Sequence, residues 1–436
     1  MRLIGFAAIL SCLWAAGAAA LPVSPPAHDA VTPDVAVNAR GDIAVLWVDQ
    51  APERRADAPG RDTRLSYVDL YVAVSRDGGA SFAAPVKVNR RDGLVRALGV
   101  NRPRIVAAPS GTWHVSFAAN EIHPALDKPL LSTHYTRSTD GGASFAPSVR
   151  LSPLVDADQS GSVHIHGGYM SAAAFGTLAA AADGRVAVLW IDSRHMTPGR
   201  DVRALYMAAS ADSGGSFAAP TMLLPTDVCP CCQMMAAADA AGGIAISLRM
   251  VAADGARQAS IARLAPGAAA LAAPVDTGGA RWVIDGCPLK PAAVAVRGET
   301  VYTAVYNGAE TPPGVYVAVS HDGGRSFGPA AAAHPEATVS DAPALAVNDR
   351  FALLAWHGKT DGPRRVFTRM YDRDGRPAGG IAALPTGAEN AQTPVVAARP
   401  DGRFQIAWQQ GGRIHTAVLP AAPGDAAADG APPRPQ

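Results

Sequence analysis

The sequence predicts an all-β fold, a β-propeller built from four-stranded antiparallel blades around a central channel. Three observations lead there. One eight-residue turn is spelled almost identically four times. A strand pair, often ending in Trp, recurs seven times. These units follow one another at roughly 50–70 residues, the spacing of propeller blades.

The turn appears as Ser75-Arg76-Asp77-Gly78-Gly79-Ala80-Ser81-Phe82. It returns as Ser138 to Phe145, Ser210 to Phe217 and Ser320 to Phe327. Each copy follows an alternating strand such as Leu70-Tyr71-Val72-Ala73-Val74 or Val315-Tyr316-Val317-Ala318-Val319, so each reads as a β-hairpin turn. The spelling has a physical basis. Asp folds its carboxylate back onto loop N–H groups, glycine supplies positive φ, and Phe tucks under the hairpin.

This pattern, S-x-D-x-G-x-S-F, resembles the Asp-box, or BNR repeat, of the sialidase (neuraminidase) superfamily. The resemblance implies a propeller over nearly the whole chain, with the boxes on peripheral hairpins away from any catalytic centre. Sialidase domains have six blades, so six is the alternative to the repeat count of seven. In that case the unit starting at Met235 is not a blade.

The second recurring unit runs from Pro33 to Trp47 and from Pro103 to Phe117. Further copies run from Leu178 to Trp190, Met235 to Leu248, Pro291 to Val305, Pro343 to Trp356 and Pro394 to Trp408. Each is followed by a further strand pair whose Asp turn is intact, degraded (Tyr371-Asp372-Arg373-Asp374-Gly375) or absent. The last unit lacks an outermost strand. Leu21 to Ser24 is the segment expected to supply it and close the ring.

Residues 1–20 read as an export signal: Arg2, an apolar run from Leu3 to Trp14, and the small residues Ala18-Ala19-Ala20 before Leu21. The apolar run is too short for a transmembrane segment. A periplasmic or secreted protein follows, with a lipoprotein anchored at Cys12 as the lesser alternative. Residues 21–421 form the propeller, and the Ala/Gly/Asp/Pro-rich 422–436 reads as a disordered tail. A net charge of +1 with 17% charged residues gives no electrostatic case for nucleic acid. The expected partner is a glycan or other small ligand, and the expected state is a monomer.

In a propeller the links into the innermost strands and the turns after the second strands gather on one face. Two constellations fall there. Cys229-Pro230-Cys231-Cys232 and Cys287-Pro288 precede the innermost strands of successive units, so four sulfurs should meet at the channel mouth. One reading is a disulfide from the cluster to Cys287, stapling two blades. The other is a soft-metal site joined by His164 and His166, which suits copper as Cu(I) better than a hard cation. Zinc is less well matched, because the single C-x₂-C pair, Cys229 and Cys232, lacks the second ligand pair of the usual frame.

The second constellation is Arg102, Arg194 and Arg249, from consecutive units. Sialidases hold a sugar carboxylate with three arginines, protonate the leaving group with Asp, and use a Tyr activated by Glu as nucleophile. The resemblance therefore implies Asp192 as acid and Tyr306 with Glu310 as the nucleophile pair of an exo-sialidase-type hydrolase. The family's F-R-I-P motif is missing. Thr32-Pro33 stands in its place, and the nearest match, Arg102-Pro103-Arg104-Ile105, comes one blade late. A binding protein with a Cys/His cluster at the channel mouth is the leading reading, and the hydrolase is its rival.

Overall fold

The structure is a computed structural model that describes residues 20–26, 29–49, 66–97, 101–125, 129–154, 173–195, 202–286 and 288–425. His164, His166, Cys287, residues 1–19 and residues 426–436 lie outside the described residues. Among the described residues all regular structure is strand. No helix there is long and apolar enough to cross a membrane.

The described strands form seven antiparallel blades, each ordered from the channel outward. Blade 1 is Ala30–Val37, Ile43–Asp49, Ser66–Ser75 and Val86–Lys87. Blade 2 is Arg104–Ala107, Trp113–Ile122, Pro129–Ser138 and Val149–Arg150. Blade 3 is Ala173–Ala180, Val186–Asp192, Arg203–Ser210 and Thr221–Val228. Blade 4 is Met235–Ala238, Ile244–Val251, Arg257–Leu264 and Val275–Asp276, so the unit at Met235 is a full blade. Blade 5 is Ala293–Arg297, Thr300–Asn307, Gly314–Ser320 and Ala331–Ala332. Blade 6 is Val339–Val347, Ala352–Lys359, Arg365–Tyr371 and Pro377–Ala383.

Blade 7 takes Ala391–Ala398, Phe404–Gln410 and Arg413–Leu419 from the C-terminal side, and Leu21–Pro22 from the N-terminal side as its outermost strand. Leu21 pairs with Thr416 and Pro22 with His415. The Val23 N–H donates to the Ile414 carbonyl at 2.8 Å, and Ser24 Oγ accepts the Ile414 N–H at 2.9 Å. Each innermost strand packs beside the next, and Ala391–Ala398 packs against Ala30–Val37. The ring of seven is thus closed by the segment the sequence singled out.

The strand pairs that end in Trp build the core. Trp47, Trp190, Trp356 and Trp408 are buried, and each stacks on its cross-strand partner Tyr71, Tyr206, Phe367 or His415 at centroid distances between 5.8 and 6.3 Å. Period-2 alternation puts each Trp on one blade face, where opposed aromatics add to the burial.

The four intact Asp turns share one hydrogen-bond pattern. In blade 2, Ser138 Oγ donates to Asp140 Oδ1 at 2.7 Å and accepts the Gly142 N–H at 2.8 Å. The Ser144 N–H and Oγ donate to the same carboxylate at 3.0 and 2.5 Å. Asp77, Asp212 and Asp322 repeat the arrangement within a few tenths of an ångström. Glycine is required at the fifth position: Gly142 has φ +91°, and a Cβ there would lie 2.5 Å from Val74 Cγ2 of blade 1. Each turn is therefore pressed against the preceding blade. An arginine of that blade grips the turn as well: Arg76 Nη2 donates to the Gly141 carbonyl at 3.0 Å, and Arg399 Nη1 to the Gly78 carbonyl at 3.0 Å.

Candidate metal centre

The opposite face is irregular. Four innermost strands open with a bulge, and each bulge holds one non-glycine residue at positive φ: Thr32 (50°), Phe175 (55°), Ala342 (51°) and Thr393 (50°). Such backbone is costly and is kept where a side chain must be aimed. Here the bulges aim polar groups into the channel mouth. Asp34 accepts the Ile105 N–H at 2.8 Å and pairs with Arg104 at 3.1 Å. Asn101 Oδ1 accepts the Phe175 N–H at 2.9 Å.

The 229–234 loop leads into the innermost strand of blade 4 and reaches across this mouth. Gln233 accepts the Arg102 N–H at 3.0 Å and donates to the carbonyls of Arg102 and Gly176 at 2.6 and 3.0 Å. Behind that clamp the loop folds inward. Cys229, Cys231 and Cys232 are 1%, 1% and 3% exposed, in an apolar cluster with Met234, Leu248 and Val228.

The three Sγ atoms lie within 4.8 Å of one another, with Cys229 Sγ 3.8 Å from both Cys231 Sγ and Cys232 Sγ. A disulfide brings sulfurs to about 2.05 Å, so no bond joins these three. A bridge to Cys287 falls outside the described residues.

The environment differentiates the sulfurs. Burial pushes the Cys229 thiol up to about 12. Cys232 is held well below the usual thiol range: burial opposes its charge, but hydrogen bonds from Cys229 and Cys231, the Arg249 charge and the Lys290 N–H outweigh that. Arg257 Nη1 donates to Cys229 Sγ at 3.4 Å. Arg249 is buried, donates to the carbonyls of Arg257 and Tyr306 at 2.7 and 3.0 Å, and lies 5.2 Å from the Trp282 ring centroid. A metal bonded to sulfur at about 2.3 Å holds its thiolates about 3.8 Å apart in tetrahedral and about 4.0 Å apart in trigonal geometry. The spacing in this pocket fits.

The other sequence-predicted residues divide into three groups. Tyr306 lies against Arg249 and Lys290 and does not form a pair with Glu310. Lys290 Nζ is 4.7 Å from the Tyr306 ring centroid, while Glu310 accepts the Ala280 N–H. Asp192 and Arg194 form a closed unit on blade 3. The Asp192 carboxylate takes Arg194 Nη2 at 2.6 Å, Arg194 Nε at 3.0 Å and Trp190 Nε1 at 2.8 Å, while the guanidinium lies 4.1 Å from the Tyr206 ring centroid.

Arg102 is buried in the channel mouth. Its burial, reinforced by Arg104 against the attraction of Asp34 and Asp341, brings its pKa down to about 10. The three arginines thus face three different sets of neighbours.

Sequence reasoning missed Arg257, Lys290 and Gln233. Arg257 opens the third strand, directly across the turn from Val251. A hairpin turn has two ends, and the rule that sorts residues to this face covers only the second-strand end. Lys290 stands in the link into an innermost strand, two residues after Cys287-Pro288, where its N–H is invisible to side-chain reasoning.

Comparison with solved structures agrees with the architecture. An ulvan lyase described as a new family of polysaccharide lyase matches at 11% identity and TM-score 0.56, covering 93% of this chain and 94% of that one. A protein of unknown function from Dyadobacter fermentans matches at 15% identity and TM-score 0.53, covering 93% and 98%. A Hadza microbial sialidase matches at 13% identity and TM-score 0.49, covering 81% and 73%. At these identities the likeness concerns the fold and not the chemistry. No protein-family model matches the chain, and no curated protein is significantly similar.

Proposed function

We propose that this protein is an exported, non-hydrolytic propeller that binds a soft metal ion with Cys229, Cys231 and Cys232. The observation that carries the reading is the spacing and burial of the three thiols: Cys229 Sγ 3.8 Å from the other two, all three within 4.8 Å, with no disulfide bond among them, in a buried apolar pocket. Thiolates in such a pocket favour thiophilic ions over hard cations. Almost complete burial disfavours a bulky partner thiol, so a small ion suits the pocket better than disulfide exchange with another protein. Cys287, His164 and His166 are the further ligands we propose from the sequence. Export follows from the signal-like residues 1–20.

The test is anaerobic titration of the reduced protein with Cu(I) against a competing chelator. The wild type should retain one ion per chain, and Cys232→Ser or Cys229→Ser, verified as folded by circular dichroism, should release it. Equal loss of copper from wild type and variants to the chelator would end this reading.

A second reading has one observation in its favour. Arg102 is buried at the channel mouth with its Nε unpartnered, which suits an anionic sugar on a fold shared with glycan-active proteins. In this reading Arg102, Arg194 and Arg249 hold the sugar carboxylate, Asp192 is the acid, and Tyr306 with Glu310 attack. Hydrolysis of a fluorogenic sialoside, abolished by Arg102→Ala, would establish it. Asp192 already binds Arg194 and Trp190, and Glu310 the Ala280 N–H, so the carboxylates would have to change partners first.

A further inference from the structure

We infer that Ser148, His134 and Glu121 form a nucleophilic acyl-transfer site at the outer edge of blade 2, acting on short-chain acyl esters. The site lies apart from the cysteine pocket and does not depend on it. Ser148 Oγ is 3.2 Å from His134 Nδ1, and His134 Nε2 is 3.1 Å from Glu121 Oε2. A hydroxyl, an imidazole and a carboxylate thus stand in line, each within hydrogen-bond reach of the next. The His134 and Glu121 side chains are 7% and 19% exposed, while Ser148 is half-buried, so the base is sheltered and the nucleophile reaches the surface. The cluster also breaks the repeat. The equivalent cross-strand pairs in blades 1, 3 and 6 are Trp47–Tyr71, Trp190–Tyr206 and Trp356–Phe367. Blade 2 sets Phe117 opposite His134, and strand alternation puts Glu121 on that same face.

The hydrogen bonds fix the proton. Burial opposes the Glu121 charge, but hydrogen bonds from His134 and Ser132 and the charges of His134 and Arg150 outweigh it and bring Glu121 down to about 2. Its carboxylate only accepts, taking Ser132 Oγ at 2.6 Å and Arg150 Nη1 at 3.4 Å besides His134. Nε2 therefore carries the imidazole proton, and the Ser148 hydroxyl donates to the bare Nδ1. In the reaction Ser148 Oγ attacks the ester carbonyl carbon, its proton passes to His134 Nδ1, and Glu121 steadies the imidazolium. The C–O bond to the leaving alcohol breaks, the alcohol takes the proton from Nδ1, and the acyl group stays on Ser148. An acceptor hydroxyl then attacks by the same route and restores the serine. Arg150, two residues on, brings positive charge to the edge where the oxyanion forms. Both residues of the edge strand, Val149 and Arg150, are exposed, which leaves a long acyl chain uncovered and favours a short one.

The experiment treats the full chain with a fluorophosphonate, which phosphonylates an activated serine with loss of fluoride, and separately with p-nitrophenyl acetate. Peptide mass mapping should place one phosphonyl group on Ser148. Ser148→Ala, at a partly exposed edge that tolerates loss of the hydroxyl, should abolish the label and the p-nitrophenol release. His134→Gln should slow both at least about a hundredfold. Glu121 acts through His134, so Glu121→Gln should slow labelling at least about tenfold, while Glu121→Asp restores part of the rate, with circular dichroism unchanged in both. Wild type without a label on Ser148 would overturn the site. So would equal labelling rates in wild type and in folded His134→Gln or Glu121→Gln, which would leave Ser148 a surface hydroxyl in a structural network.

Discussion

The two faces of the propeller solve the same problem differently. On the Asp-turn face the same four groups, two serines, an aspartate and a glycine, make the same bonds in blades 1, 2, 3 and 5. The bonds inside each turn are local and repeated, and the turn carboxylates are satisfied. On the channel face the backbone bulge recurs but the side chains around it differ from blade to blade. Arg102 and Arg249 each keep a buried Nε without a hydrogen-bond acceptor, Thr32 leaves its hydroxyl unmatched, and left-handed bulges recur. Satisfied repetition specifies a fold. Buried polar groups without partners mark positions where a ligand would complete the structure.

The largest effect that would sharpen this contrast is on binding. Cys232→Ser should cost orders of magnitude in Cu(I) affinity and little in thermal midpoint, because the serine is nearly the same size and the core around it is unchanged. Comparable losses of affinity from a turn-face variant would erase the distinction between the faces.

Next comes Gly142→Val on the turn face. Its Cβ would meet Val74 Cγ2 at 2.5 Å on a backbone with φ +91°. Unfolding free energy should fall by about 3 kcal/mol, with Cu(I) affinity of the folded fraction unchanged. Urea denaturation and chelator competition read the two quantities.

Acid should act on the buried histidines before the turn carboxylates. Burial holds His114 and His357 at about 4, down from 6.5; Asp341 partly opposes this at His357, while Arg364, Arg102 and Lys290 reinforce it. Their folded pKa lies below the unfolded one, so their contribution is complete above pH 6.5 and is lost as pH falls through 4, up to roughly 3 kcal/mol each. Hydrogen bonds from the turn serines hold Asp77 and Asp140 at about 2, down from 3.8. Their contribution is present above 3.8 and is lost as pH falls through 2. Urea midpoints measured against pH should therefore fall first in the histidine window, and His357→Gln should flatten that first fall.

The smallest effect is Asp77→Asn. The amide keeps one acceptor but loses the charge that the Ser75 and Ser81 groups serve, and about 1 kcal/mol is expected from the thermal shift.

The same contrast explains what could be read from the chain. The Asp turns were legible because the bonds of the aspartate and the two serines fall within eight residues, so spelling and geometry are the same information. The closing strand at Leu21 was legible because one unit visibly lacked an edge. Blade 4 showed only weakly, since it carries no Asp turn, yet its strands pair throughout. Meeting of the cysteines followed from their spacing within one loop. The arginines were harder. Arg249 finds its acceptors at Arg257 and at Tyr306, and Arg102 is clamped by Gln233 across the mouth from 131 residues away. Gln233 holds the Arg102 main chain, and residue spacing encodes neither that clamp nor the Tyr306 carbonyl that Arg249 reaches 57 residues away. The Asp192–Arg194 pair is the exception, being two residues apart and open to local reasoning.

The most direct test of the account is the mass of the intact protein, measured natively and after denaturation, on protein isolated without added reductant and then exposed to one equivalent of Cu(I) without oxygen. The account predicts a native mass raised by one copper ion, and a denatured mass showing Cys229, Cys231 and Cys232 as free thiols. A native mass without copper, accompanied by a denatured mass short of the hydrogens lost to a disulfide, would make the cluster a staple and contradict the metal centre.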